Sequence, residues 1–346
     1  MTGNSTMYGD DYPVSDFTPC ERPSLDGFAL MITYFIVFIL SLLGNSVVVF
    51  VVCSMVKRRT STDVYLMHLA VADLLFSLTL PFWAVSLNSE WVFGTFLCKL
   101  LSGIQDTAFY SCVFLLACIS IDRYLAIVKA TQAVFRRRHL VKAVCGLVWL
   151  AATLLALPSV VQREAFMPVG HYSMVCHENL TENMDSWRTG MRVTRHTLGF
   201  FLPLLIMLVC YGCTVCTLSH ARNSQKHKAM RVILSVVLAF LICWLPINVT
   251  FLVDTLVRSK ILTAGCDQEN QVDLALQVTE VLAFLHCAIN PILYAFIGKK
   301  FRNQLLHTLY QKGVIGKYSH AMFRKGSQTS ISSRSFSYEI FMLKTQ

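Results

Sequence analysis

Charged side chains are scarce in this chain. Asp, Glu, Lys and Arg supply 14% of its 346 residues, against 55% hydrophobic residues and a mean hydropathy of +0.54. That shortage excludes an ordinary soluble protein, in which roughly a quarter of the residues are charged. No His-Glu-X-X-His occurs, and the ten histidines form no obvious metal-ligand pattern, which counts against an intramembrane metalloenzyme. No internal repeat is visible either; many transporters carry one, so a transporter or channel, the alternative from another class, is disfavoured. The residues before Phe28 have neither an apolar core nor a small-residue cleavage site. No removable signal peptide is therefore expected, and the first apolar run must itself target the membrane.

What the chain does have is long apolar runs. A crossing of the hydrocarbon layer needs roughly 20 largely apolar residues, and seven stretches qualify: Phe28–Val52, Val64–Val85, Phe96–Val128, Val141–Val161, Val193–Leu218, Val232–Val257 and Val272–Ile297. The reading is an all-α membrane protein, a seven-transmembrane helix bundle. Basic residues in short loops favour the cytoplasm, and they follow run one (Lys57, Arg58, Arg59), run three (Lys129, Arg136, Arg137, Arg138) and run five (Arg222, Lys226, Lys228). The N-terminus is then extracellular and the C-terminus cytoplasmic. From Lys299 onward the chain holds nine Lys or Arg against the single acid Glu339, which accounts for much of the formal charge of +10. A basic protein can bind nucleic acid, but here the positive charge faces the anionic inner leaflet, so membrane lipid and not nucleic acid is the expected partner. The N-terminal segment is acidic, with Asp10, Asp11, Asp16, Glu21 and Asp26 against Arg22 alone, and would attract a basic ligand.

The organisation is thus an extracellular acidic N-terminus (1–27), the bundle with its loops (28–297), an amphipathic membrane-surface helix (298–311) and a cytoplasmic Ser/Thr-rich tail (312–346). The surface helix rests on the apolar stripe Phe301, Leu305, Leu306 and Leu309, flanked by Lys299, Lys300 and Arg302. Of the thirteen cysteines, four stand apart from those buried within the apolar helices: Cys20, Cys98 at the outer end of run three, Cys176 and Cys266. All four fall on the extracellular, oxidising side, where they allow three connectivities. Asn4 and Asn179 start extracellular glycosylation triplets; Asn248 starts another, but within the sixth run.

Ionisable residues inside a membrane are costly and usually functional or paired. Asp73 is one: it either links a cation or proton to the bundle or is held by hydrogen bonds from neighbours such as Asn45 and Asn290. Asp122-Arg123 closes the third run; an exposed ion pair adds little stability, so a switch in which Arg123 is released to a partner is the better reading. Prolines remove a helical hydrogen bond. Next to Trp244 and Asn290, Pro246 and Pro291 read as hinges, whereas Pro158 and Pro203 read as fixed shape. Asp254 and Glu280, with Arg188, Arg192, Arg195 and Arg258, lie toward the extracellular helix ends. They form either a mutually bridged rim or a mixed-charge cavity for a charged ligand segment.

Taken in order, Gly44-Asn45, Leu69 to Asp73, Asp122-Arg123-Tyr124, Trp149, Pro203 with Tyr211, Cys243 to Pro246 and Asn290 to Tyr294 closely resemble the motifs of rhodopsin-like G-protein-coupled receptors, over nearly the whole chain. Within that family, Thr79-Leu80-Pro81, the run Asp122 to Val128 and the outer pair Cys20 and Cys266 resemble chemokine receptors. Segments Trp91 to Lys99, Arg138 to Lys142, Gln225 to Ile233 and Tyr294 to Gly298 look like the interleukin-8-type CXC receptors.

The resemblance implies disulfides Cys98–Cys176 and Cys20–Cys266. It implies a receptor, not an enzyme, with no cofactor. The acidic arm, with Tyr8 and Tyr12 beside Asp10 and Asp11 as candidates for sulfation, would capture a CXC chemokine of the Glu-Leu-Arg group. The ligand's N-terminus would then engage Arg188, Arg192, Arg195, Asp254, Arg258 and Glu280. Trp244 and Pro246 would transmit the signal, Tyr211, Asn290, Pro291 and Tyr294 would rearrange, and Arg123 would meet an inhibitory-class heterotrimeric G protein, driving neutrophil chemotaxis. Receptor kinases and arrestin would act on Ser327, Thr329, Ser330, Ser332, Ser333, Ser335 and Ser337. A scavenging receptor without G-protein signalling is the alternative, disfavoured by the intact Asp122 to Val128 run.

The departures from family pattern also count. Gln105 stands where amine receptors carry an Asp and Phe284 where opsins carry their retinal lysine, which disfavours both ligand classes. Cys112 replaces a small hydroxyl residue that helps Asp73 hold sodium in the wider family, so sodium binding is doubtful and no metal is expected. No cysteine follows Cys287, so the tail lacks the palmitoylation site of many relatives.

Overall fold

In the computed structural model the described residues are 25–55, 59–128, 138–168, 172–178, 185–219, 224–259, 261–263, 265–297 and 299–313. Seven helical spans are long and apolar enough to cross a membrane, between Gly27–Ser54 and Cys266–Tyr294. They coincide with the seven apolar runs. Helix α1 (Gly27–Ser54) starts where Asp26 accepts the Phe28 N–H at 3.1 Å, relieving one of the orphan donors of a first turn. Helix α2 (Ser61–Ser77) starts on a reciprocal box in which Thr60 and Asp63 cap each other.

Prolines and glycines shape the spans. The second span breaks at Leu78–Thr79 and resumes as α3 (Leu80–Asn88), with Pro81 in its first turn, where a missing N–H costs nothing. The third span, α4 (Gly94–Ile127), is continuous and the most buried. The fourth, α5 (Arg138–Gln162), runs into a two-stranded antiparallel hairpin, β1 (Arg163–Phe166) and β2 (Val175–Glu178), the exception to an all-α description. The fifth combines α6 (Asp185–His196), a π-helical turn (Thr197–Phe201) and α7 (Leu202–Ser219). Pro203 cannot donate to the Gly199 carbonyl, and the ladder just before it widens. The sixth span lies in α8 (Ser224–Arg258), with Pro246 inside. The seventh joins α9 (Cys266–Phe284) and α10 (His286–Ile297); α11 (Lys299–Gln311) follows.

The spans pack through small residues and shared polar groups, as expected where lipid supplies no hydrophobic drive between helices. A Cβ on Gly44 would stand 2.7 Å from the Pro291 ring, and one on Gly103 would stand 2.5 Å from a Val160 methyl. Pro291 leaves the Cys287 carbonyl without its helical donor, and Asn45 Nδ2 fills that place at 2.9 Å. Trp149 Nε1 donates to His68 Nδ1 at 3.2 Å, tying α5 to α2. Outward side chains remain apolar: Leu43, Leu147 and Ile242 are each more than 60% exposed, a surface suited to lipid. Helix α11 docks on α1, its Thr308 hydroxyl 3.1 Å from that of Ser54.

Candidate functional site: a charged cavity above a polar centre

Between the spans, on the side of the β1–β2 hairpin, lies a cavity of about 90 Å³. Its floor is aromatic, made by Phe76 of α2, Phe109 of α4, Trp244 of α8 and Phe284 of α9. Trp244 and Phe109 rings stand 4.3 Å apart, and Phe76 meets Phe284 edge-on at 5.1 Å. Its walls carry Asp106, Arg163, Arg195 and Glu280. The Arg195 Nη2 lies 2.9 Å from Asp106 Oδ1, Ser159 donates to the other carboxylate oxygen of Asp106, and the guanidinium sits 5.7 Å from the Phe109 ring centre. Three spans meet at that one carboxylate. Gln105, expected from the sequence to mark a missing acid, does line the cavity, but the next residue supplies one.

The rim groups named from the sequence separate into two kinds. Asp254 is 3% exposed and already paired twice, with Arg192 Nη1 at 2.7 Å and Arg258 Nε at 2.6 Å; Arg258 also reaches Asp273 at 3.3 Å. These three form the bridged rim. Glu280 makes no hydrogen bond or ion pair among the described residues, although it faces the same cavity as Arg163 and Arg195. Arg188 belongs to α6.

Beneath Trp244 is a polar centre. Asp73, completely buried, accepts from Asn290 Nδ2 at 2.8 Å and from the Cys112 thiol at 3.5 Å, with His286 Nε2 at 3.3 Å. Asn45, expected as a partner of Asp73, instead bonds Ser41 and the Cys287 carbonyl, because the Pro291 break presents a carbonyl that must be satisfied. His286, which no reading of the sequence had placed here, takes the position. At the end of the third span remote from the cavity, Arg123 folds back on Asp122, Nη2 to Oδ2 2.5 Å and Nε to Oδ2 3.1 Å. Tyr124 is half-buried beside them, and Tyr211 and Tyr294 are buried.

Cys98 and Cys176 are joined by a disulfide that pins β2 to the start of α4. Cys266 is also disulfide-bonded. Its expected partner Cys20 lies outside the described residues, as do Asn4, Tyr8, Asp10, Asp11, Tyr12, Asn179 and the tail sites Ser327, Thr329, Ser330, Ser332, Ser333, Ser335 and Ser337. Asn248 is buried, with its amide on the Trp244 carbonyl and its oxygen 3.1 Å from His196 Nδ1, which removes it as a glycan acceptor.

Comparison with known proteins gives these arrangements a context. Residues 44–294 match the family model of the 7 transmembrane receptor (rhodopsin family). Over 342 residues the chain is 49% identical to the C-X-C chemokine receptor type 1 of Oryctolagus cuniculus, covering 96% of both chains. It is 49% identical to the C-X-C chemokine receptor type 1 of Homo sapiens, with 92% of this chain and 91% of that one aligned. With the C-X-C chemokine receptor type 2 of Oryctolagus cuniculus the identity is 48%, over 90% and 87% of the two chains.

Proposed function

From a chain that belongs to the rhodopsin family of seven-transmembrane receptors, and within it to the C-X-C chemokine receptors, we propose a plasma-membrane receptor for chemokines of the Glu-Leu-Arg group that activates inhibitory-class G proteins and drives neutrophil chemotaxis. The observation that carries the ligand reading is the cavity, whose one unpaired carboxylate, Glu280, faces Arg163 and Arg195 over an aromatic floor. A ligand segment bearing both an acid and a cation fits such a site. The acid would compete with Asp106 for Arg195, and the cation or amino terminus would go to Glu280.

Capture precedes insertion. The acidic segment before Phe28 raises the encounter rate of a basic protein by long-range attraction, with the N-terminus extracellular as the loop charges require. Differential contacts in the cavity then favour one arrangement of the bundle, since a ligand that binds both arrangements equally shifts nothing. Trp244 is the transmission point: it touches Phe109 above and, at 5.2 Å, the His286 ring below. With Pro246 as hinge, the cytoplasmic half of α8 swings outward and Arg123 leaves Asp122 for the G protein. Helix α11 lies on the inner leaflet, and kinases and arrestin act on the hydroxyl cluster beyond it, where phosphate would turn a basic tail anionic.

The test is G-protein activation in cells expressing the chain, challenged with Glu-Leu-Arg CXC chemokines and with other chemokines, with and without pertussis toxin. A toxin-sensitive response confined to the Glu-Leu-Arg group is expected. Ligand uptake without nucleotide exchange would make the protein a scavenger.

A further inference from the structure

Among the described residues three thiols are exposed: Cys53 on α1, and Cys213 and Cys216 on α7. Six others are buried or half-buried. Cys53 is turned toward α2, its sulfur 3.9 Å from that of Met67. Cys213 and Cys216 stand one turn apart at the end of the fifth span remote from the cavity, where the apolar stretch closes at Thr217. On the same helix Cys210, Tyr211 and Thr214 are buried, so the two thiols occupy the side turned away from the bundle. Residues three and four apart share a helix face, which sets Leu205, Val209, Gly212 and Cys216 in one row. Leu205 and Val209 are exposed, and a Cβ on Gly212 would meet nothing within 4 Å. Helical side chains lean toward the N-terminus of their helix, so the Cys216 sulfur is directed along this row, over the Gly212 notch, toward the membrane interior. From Leu205 to Cys216 the helix rises roughly 16 Å, about half of a hydrocarbon core near 30 Å thick. That length suits one long acyl chain lying within a single leaflet.

The structure assigns to Cys213 and Cys216 an S-acylation site at the inner leaflet, with Cys216 the main acceptor and a long-chain acyl-coenzyme A the donor. The assignment rests on the orientation proposed above, which puts this end of the fifth span on the cytoplasmic side. Juxtamembrane cysteines are the usual setting for reversible acylation, and a thiol buried in the bundle has no access to the donor. Shortly after Cys216 the sequence supplies Arg222, Lys226 and Lys228, cations that favour an anionic leaflet and an anionic donor. In the step itself the Cys216 thiolate, the nucleophilic form, attacks the carbonyl carbon of the donor thioester. The new carbon–sulfur bond forms as the bond to coenzyme A breaks, and coenzyme A leaves with the proton that Cys216 gave up. Nothing is oxidised or reduced. The chain then lies over Gly212 and Val209 and fastens that end of α7 to one leaflet. No cysteine follows Cys287, so the C-terminal tail offers no thiol for this attachment.

The experiment expresses the full chain in cells fed an alkynyl long-chain fatty acid, isolates it, and measures the incorporated label with and without hydroxylamine, which cleaves thioesters. Expected is a hydroxylamine-labile label on the unaltered chain. Cys216→Ser lowers it at least twofold, Cys213→Ser combined with Cys216→Ser brings it to background, and Cys53→Ser leaves it unchanged. A label that survives in the double variant, one lost in Cys53→Ser alone, or none on the unaltered chain overturns the proposal. Antibody access to an N-terminal epitope on intact cells establishes orientation and surface delivery for every variant, so a missing label is distinguished from an inverted or misfolded chain. None of these readouts needs a chemokine, so the result stands apart from the ligand assignment above.

Discussion

Glu280 and Asp254 are both carboxylates in the halves of their spans that lie on the side of the β1–β2 hairpin, yet their surroundings give them different chemistry. Asp254 is clamped by two guanidinium groups, so its removal releases Arg192 and Arg258 and alters the rim's shape as well as its charge. Glu280 faces the cavity with its charge uncommitted. Glu280→Gln is therefore expected to lower chemokine potency about tenfold, or roughly 1.4 kcal/mol, with surface expression unchanged; equal potency in a G-protein activation assay would remove Glu280 from the ligand's contacts. Asp106 is a third case, since it holds Arg195 and a Ser159 hydroxyl at once. Asp106→Asn is expected to destabilise the purified protein by about 1.5–3 kcal/mol, the range for hydrogen bonds to charged groups, toward the lower end because Arg195 opens on the cavity. Thermal unfolding with no ligand present checks this. The signal for both missed residues was in the sequence: Asp106 is an acid within the third apolar run and His286 a basic ring within the seventh. The pairing of Arg195 with Asp106 and of His286 with Asp73 depends on how three spans rotate against one another, which no linear pattern records.

At the level of elements, the spans themselves were legible because hydrocarbon thickness sets their length and the absence of water forces helical hydrogen bonding throughout. Their internal breaks were legible only in part. Pro81 lies in the second apolar run, but the break falls before it, at Leu78–Thr79, where the Thr79 hydroxyl bonds the Phe76 carbonyl at 2.7 Å. The β1–β2 hairpin escaped notice because each strand is four residues long in a polar connection, too short for alternation to show. Small residues carried a signal that only the packing interprets. Gly44 and Gly146 look alike in sequence, yet a Cβ on Gly44 meets the rigid Pro291 ring at 2.7–2.8 Å while one on Gly146 meets nothing within 4 Å. Gly44→Val should push α1 from α10, disturb the Asn45 bond to the Cys287 carbonyl, and lower the melting temperature and cell-surface yield. Gly146→Val should leave both near the original values. Similar losses in the two variants would mean that the α1–α10 contact is not tight.

For the whole molecule, the question is how a cavity at one end of the bundle would govern Arg123 at the other. The described contacts form an unbroken sequence: Arg195 over Phe109, Phe109 on Trp244, Trp244 on His286, His286 at Asp73, and Asp73 bonded to Asn290 next to Pro291. Contiguity alone does not establish coupling; the physical warrant is a two-state element biased from both ends. Asp122–Arg123 is the candidate for that element at the end remote from the cavity, because Arg123 folds onto a carboxylate that is only 8% exposed while its own side chain is 23% exposed. Asp122→Asn keeps the shape and removes the charge, so it should raise ligand-independent nucleotide exchange several-fold while ligand affinity rises in the same direction, since linkage between two binding sites is reciprocal. Combining it with Trp244→Ala separates the possibilities. If the two ends act through one equilibrium, the double variant retains raised basal exchange but loses most of its further response to chemokine. If Asp122→Asn leaves basal exchange unchanged in a membrane nucleotide-exchange assay, the ion pair is structural and the switch lies elsewhere in the bundle.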